Sequence, residues 1–192
     1  MNGARRAGDT TAESAGQKFI AFVLRAALRA TVKRAFQAGL PIARQRQRLL
    51  SATRLTLPPR SVSFETASVA GVPGDMVRQR GNEAASTVIL YLHGGGYTTG
   101  SPRTHCALTG HLAVRCGARL FVPDYRLAPE HPFPAGLDDA VTAYRGLLDQ
   151  GVEPGEIVIA GDSAGGGLAV ATALRLRDLG QPRPRALVLF SP

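Results

Sequence analysis

The sequence predicts an α/β fold: a doubly wound, mostly parallel sheet, incomplete on its C-terminal side and preceded by a helical arm. Three observations predict it. Short continuous apolar runs recur across residues 58–192, and such runs mark strands buried on both faces. Segments of helical periodicity alternate with those runs, and that alternation folds as parallel βαβ crossovers with helices on both faces. Residues 1–57 lack the apolar strand runs and carry the net positive charge, with eleven Lys or Arg against Asp9 and Glu13. The chain of 192 residues is therefore expected to divide into a basic helical arm, 1–57, and a sheet-based domain, 58–192.

In order, residues 1–16 are rich in Gly, Ala, Ser and Thr and read as disordered. Gln17–Gln37 reads as a helix with Lys18, Arg25, Arg29 and Lys33 on one face. A second basic helix is expected over Ile42–Leu50, ended by Pro58 and Pro59. Ser61–Ala70 and Asp75–Arg80 read as strands joined by a turn at Gly71, Pro73 and Gly74. Thr87–Leu92, Arg119–Pro123, Glu156–Ala160 and Arg185–Phe190 follow as strands, the first two and the last buried in character. Helices are expected at Arg103–Cys116, Leu137–Leu148 and Ala164–Leu179.

Charge and composition exclude several classes. The formal charge is +9, with twelve Lys or Arg in residues 1–60 against Asp9 and Glu13. No nucleic-acid-binding module accompanies that basic arm, so no nucleic acid partner is expected. The apolar stretch Phe19–Val32 is too short for a bilayer and is broken by Arg25 and Arg29. No integral membrane segment is expected, and a solvated basic face is favoured over contact with a membrane surface. Asp9 and Glu13 precede that stretch and no cleavage site follows it, which leaves the cytoplasm as the default. Cys106 and Cys116 lie on different turns of one expected helix, so no disulfide is expected and a reducing compartment fits. The four histidines and two cysteines form no metal-ligand pattern. No cofactor or metal is expected, and the oligomeric state is left open.

The chemistry concentrates in two short motifs. Gly161-Asp162-Ser163-Ala164-Gly165 follows an apolar strand and opens a helix, the setting of a nucleophile elbow. Glycines two positions either side of a serine permit a strained turn, and the following helix N-terminus favours developing negative charge. The amide of Ala164 is then free to face an oxyanion. A phosphate-binding turn fits less well, because neither G-x-G-x-x-G nor a Gly-Lys-Ser/Thr ending is present there. The second motif, His93-Gly94-Gly95-Gly96-Tyr97, directly follows the strand Thr87–Leu92. A glycine run at that position frees backbone amides to approach a substrate, and both motifs fall at strand C-termini, where open α/β sheets bind ligands.

With these motifs and the run Asp124-Tyr125-Arg126-Leu127-Ala128-Pro129-Glu130-His131-Pro132-Phe133-Pro134-Ala135, the chain resembles the hormone-sensitive-lipase-like α/β-hydrolases, the bacterial family IV esterases. The resemblance runs from about Pro58 to Pro192. It implies that Ser163 is the nucleophile and that Gly94, Gly95, Gly96 and Ala164 build the oxyanion hole. Gly95, Gly96 and Ala164 would donate, Gly94 would shape the loop, and His93 would anchor it. It implies a carboxylic ester as substrate, a structural role for Asp124–Ala135, and a cap formed in part by the N-terminal helices.

One departure matters. A serine needs a base, and the family places an acid and then a histidine after the serine. After Ser163 this sequence has no histidine, and Asp178 is its single acid, about four helical turns on. The triad acid and histidine are thus absent. His105, His111 and His131 read as surface or structural. The expectation is an esterase represented here by its nucleophile half and inactive in isolation. The alternative is a non-catalytic small-molecule-binding module on a hydrolase scaffold, as the family resemblance to plant gibberellin receptors suggests.

Overall fold

The computed structural model describes residue 22 and residues 39–53 and 56–192. Apart from Phe22, the expected helix Gln17–Gln37 lies outside the described residues, as do residues 1–16. Residues Gly39–Pro192 form a compact unit. Its elements are α1 (Ile42–Thr53), β1 (Val62–Val69), β2 (Val72–Gln79), β3 (Val88–Leu92), α2 (Cys106–Cys116), β4 (Arg119–Pro123), α3 (Ala135–Asp149), β5 (Ile157–Asp162), α4 (Ala164–Asp178) and β6 (Ala186–Phe190).

The strands form one six-stranded sheet in the order β1-β2-β4-β3-β5-β6. β4, β3, β5 and β6 run parallel, while the hairpin β1–β2 joins β4 antiparallel. The sheet is mixed and mostly parallel, with helices on both faces as expected. Alternation along the central strands sorts the core. Leu90, Leu92, Phe121 and Ile159 face Tyr144 and Leu147 of α3 and Leu168 and Leu176 of α4. Ile89, Tyr91, Leu120, Val122 and Ala160 face Ala113 of α2. All five residues of β3 are buried, which accounts for its unbroken apolar sequence.

Two expectations need correction. The hairpin turn is Ala70-Gly71 alone, at φ of 50° and 83°, because Val69 already pairs with Val72. Two left-handed residues make the tight turn whose twist matches antiparallel strands. Pro73 and Gly74 belong to β2 instead. A Cβ on Gly74 would meet the carbonyl of Val122 and come within 2.8 Å of Pro123 Cα, so this glycine serves a close strand crossing. The helix expected from Arg103 is two pieces: a 3₁₀ turn over Pro102–His105, capped by Ser101, then α2. Strand β6, apolar along its whole length, lies at the sheet edge, with Leu187, Val188 and Phe190 each more than a third exposed.

The topology positions the two motifs. β3 and β5 are parallel neighbours with Leu92 opposite Gly161. The loop after β3 and the turn after β5 therefore leave the same edge of the sheet side by side.

Candidate active site

Ser163 sits at φ 50° and ψ −124°, a region that costs a side-chain-bearing residue roughly 1–3 kcal/mol. Neighbouring backbone holds it there. Its amide donates to the Phe190 carbonyl at 2.8 Å, and its carbonyl accepts from Gly166 at 2.9 Å and Gly167 at 3.2 Å. The flanking glycines are required by contact. A Cβ on Gly165 would meet the carbonyl of Leu92 and come within 2.6 Å of that of His93. A Cβ on Gly161 would meet the backbone of Gly165 and come within 2.7 Å of Leu92 O. Ser163 is exposed, and α4 starts at the next residue.

The glycine loop is fixed one peptide plane at a time. In a trans peptide the C=O and the following N–H point in opposite directions, so tying down one aims the other. The His93 carbonyl accepts from Tyr125 Oη at 2.7 Å, and the Gly94 amide donates to Asp162 Oδ1 at 2.9 Å. The Gly94 carbonyl lies 3.0 Å from His93 Nδ1, which must carry the proton because the carbonyl can only accept. The Gly95 carbonyl takes the Thr98 and Thr99 amides at 3.2 and 3.0 Å and the Thr99 hydroxyl at 2.9 Å. With both carbonyls drawn inward, the Gly95 and Gly96 amides are directed the other way. Among the described residues, the amides of Gly95, Gly96 and Ala164 donate to no atom. The Gly94 amide is spent on Asp162, so Gly94 shapes the loop and does not donate at its outer face.

His93 is completely buried and stacks on Tyr125 with ring centroids 4.3 Å apart and planes 16° from parallel. Burial pushes its pKa down to about 4, against the opposing hydrogen bond to Gly94. The neutral ring is thus a fixture beneath the loop. Its Nε2 is buried without a hydrogen-bond partner. Gly100 clears space for it, since a Cβ there would come within 2.5 Å of Nδ1.

Residues outside the sequence-based site complete the frame. Asp162 Oδ1 also accepts from Tyr91 Oη at 2.8 Å and lies 3.4 Å from His105 Nε2. Burial raises the Asp162 pKa, but hydrogen bonds from His105, Tyr91 and Gly94 together with the His105 charge outweigh it and hold the carboxyl below its usual range. Burial and the Asp162 charge push the Tyr91 hydroxyl well above the ordinary phenol range. Arg46 of α1 donates to the Thr98 carbonyl at 2.8 Å, to the Ala128 carbonyl at 3.1 Å and to both oxygens of Glu130. It joins the arm's second helix to the loop and to the Asp124–Ala135 run. No local motif marks these residues; their roles depend on strand register and on which elements meet.

A cavity of about 470 Å³ opens beside the loop, lined by Gly96, Tyr97, Tyr125, His131, Leu168 and Ala171 among others. Its walls are mainly apolar, with a few polar groups, as small-molecule sites are. No described side chain hydrogen-bonds to the Ser163 hydroxyl. His105 is engaged with Asp162, His111 is exposed on α2 and His131 is exposed at the cavity. Asp178 ends α4 and pairs with Arg177 at 2.7 Å. Among the described residues, no group of three His, Cys, Asp or Glu is arranged to hold a metal ion, and no helix is long and apolar enough to cross a membrane.

Comparison with known proteins agrees with this fold. The profile of the alpha/beta hydrolase fold family matches residues 89–192. An acetyl-hydrolase of Streptomyces hygroscopicus is 46% identical over 147 residues, covering 70% of this chain and 49% of the relative. An esterase of Acinetobacter venetianus is 37% identical over 165 residues, covering 86% and 54%. The solved structure of an esterase from the bacterial hormone-sensitive lipase family is similar with a TM-score of 0.80 at 40% identity, over 86% of this chain and 56% of that one. The chain spans about half the length of the curated relatives it matches. It belongs to the alpha/beta hydrolase fold family, and within that family it is similar to the esterases of the hormone-sensitive lipase group.

Proposed function

We propose that this chain carries the nucleophile and the oxyanion donors of a serine ester hydrolase acting on small carboxylic esters. The observation that supports it is the strained Ser163 at φ 50° and ψ −124°, beside three backbone amides that donate to no atom among the described residues. Ser163 Oγ would attack the ester carbonyl carbon while the Gly95, Gly96 and Ala164 amides stabilise the oxyanion. Expulsion of the alcohol would leave an acyl-serine, and water would then release the acid and restore the hydroxyl. The base that takes the serine proton finds no candidate among the described residues. Slow turnover is therefore expected of this chain by itself, because the oxyanion hole retains part of the acceleration when the base is missing.

The cavity beside Gly96 fits the acyl or alcohol part of a small ester. The bonds from Arg46 support reading α1 as part of a cap. The free thiols Cys106 and Cys116 support a reducing, cytoplasmic setting.

The test is covalent labelling of the full chain with an alkyl fluorophosphonate, read by intact mass and peptide mapping. One adduct on Ser163, absent in Ser163→Ala and formed faster with added imidazole, is expected. Failure to label at any imidazole concentration, or equal labelling of Ser163→Ala, would refute the proposal.

A further inference from the structure

The geometry points to Asp162 as the positioning residue of the oxyanion loop, a carboxylate clamp that joins the elbow to the glycine loop through the Gly94 amide. The elbow motif identifies Ser163 by its turn and leaves the aspartate before it unexplained. Strand geometry explains it. Asp162 is the last residue of β5 and shares the face of Ala160 and Val158, the face toward α2. Tyr91 stands opposite Ala160 on β3 and projects to that face. Its hydroxyl reaches one pleat further along to Asp162 Oδ1. His105, at the end of the 3₁₀ turn, approaches the same oxygen from above the sheet.

The carboxylate thus gathers donors from three separate elements: a strand side chain, a loop amide and a histidine ahead of α2. Hydrogen bonds to an ionised acceptor are the strong ones, and a half-buried carboxylate holds its donors in place. Gly94 is a glycine for the same reason. A Cβ there would collide with the Asp162 carboxylate and lie 2.8 Å from its carbonyl oxygen, so the aspartate fills the volume that any side chain at position 94 would need. With the Gly94 amide held, the next two peptide planes are set by His93 and by Thr98 and Thr99, and the Gly95 and Gly96 amides stay directed outward. Asp162 touches no reacting atom in this scheme; it acts through the loop.

The purpose of the clamp rests on the ester-hydrolase reading, but its existence does not, and the two are measured separately. Residue-resolved amide hydrogen exchange of the full chain reads the clamp without catalysis. In Asp162→Ala, exchange at Gly94 should rise at least roughly tenfold, as local opening becomes easier. The amides of Leu90 and Ile159, in the β3 and β5 ladders, should change little. Asp162→Asn keeps an acceptor of the same shape and should restore most of the Gly94 protection, with a parallel recovery in the rate of fluorophosphonate labelling at Ser163. Ser163→Ala should leave Gly94 protection unchanged. If Asp162→Ala unfolds the sheet, so that Leu90 exchanges too, the Asn variant and His105→Gln decide: a selective rise at Gly94 in His105→Gln supports the clamp. Unchanged Gly94 exchange in Asp162→Ala, or no recovery in a folded Asp162→Asn, overturns it. Loss of labelling with Gly94 protection intact would instead count against the ester-hydrolase reading.

Discussion

β3 and β6 read almost alike as sequence, Val-Ile-Leu-Tyr-Leu against Ala-Leu-Val-Leu-Phe. Both are five-residue parallel strands, and β5 connects them within the sheet. Yet every residue of β3 is buried, whereas β6 is exposed over four of its five residues. Apolar character records what a strand is suited to cover, while its place in the sheet decides what it does cover. At the centre, alternate residues of β3 meet α3 and α4 on one side and α2 on the other. At the edge, a run of unpaired backbone groups is left open, a template for another strand.

The largest expected effect tests that difference in energy. Leu90→Ala removes a fully buried side chain between α3 and the sheet and should cost about 2–5 kcal/mol in urea unfolding of the full chain. Leu187→Ala on β6, 37% exposed, should fall within about 0.5 kcal/mol, as surface substitutions do. Similar costs for the two would break the comparison.

The central region should also respond to pH in a way the edge does not. His93 titrates at about 4 in the fold against an ordinary 6.5. Between those values the unfolded chain binds the extra proton, so stability is full above about pH 6.5 and falls as pH drops toward 4. The loss approaches about 3 kcal/mol at the lower end, at 1.36 kcal/mol per pKa unit. Below that window Asp162, held below its usual range, adds a further loss as its carboxyl protonates. Unfolding midpoints of wild type and His93→Asn across pH 4–7 check this, with a flatter profile expected for the variant. A slope in His93→Asn as steep as in wild type would remove His93 as its source.

A smaller effect isolates the elbow. Ser163→Gly should raise stability by roughly 1–3 kcal/mol relative to Ser163→Ala, because glycine occupies the serine's backbone region without strain. No difference between the two variants would mean the turn stores nothing. The smallest effect belongs to the edge: Val188→Lys should leave the urea midpoint within about 0.5 kcal/mol while lowering concentration-dependent light scattering. Unchanged scattering would show that the β6 edge does not drive association.

Much of this was legible in the sequence because it is local. The run Val88–Leu92, the turn at Gly161–Gly165 and the glycine loop each carry their geometry in consecutive residues, and their order placed them on one sheet edge. The hairpin turn was misplaced because Pro73 and Gly74 are common turn residues, while Ala70 is an unusual occupant of a positive φ; pairing of Val69 with Val72 overrode propensity. The apolar run of β6 was legible in the same way as Val88–Leu92, and its exposure follows from its place at the sheet edge. The Tyr91–Asp162–His105 cluster was invisible for another reason: it needs the β3–β5 register and the parity of each strand, and these residues are far apart in the chain. Arg46, bridging α1, Thr98 and Glu130, escaped in the same way.

The most direct test of the central claim is a crystal structure of the full chain after reaction with a small fluorophosphonate. The expected result is a phosphorus bonded to Ser163 Oγ, with the phosphoryl oxygen about 2.7–3.1 Å from the amide nitrogens of Gly95, Gly96 and Ala164. An adduct on Ser163 whose phosphoryl oxygen points into solvent, away from all three amides, would contradict it.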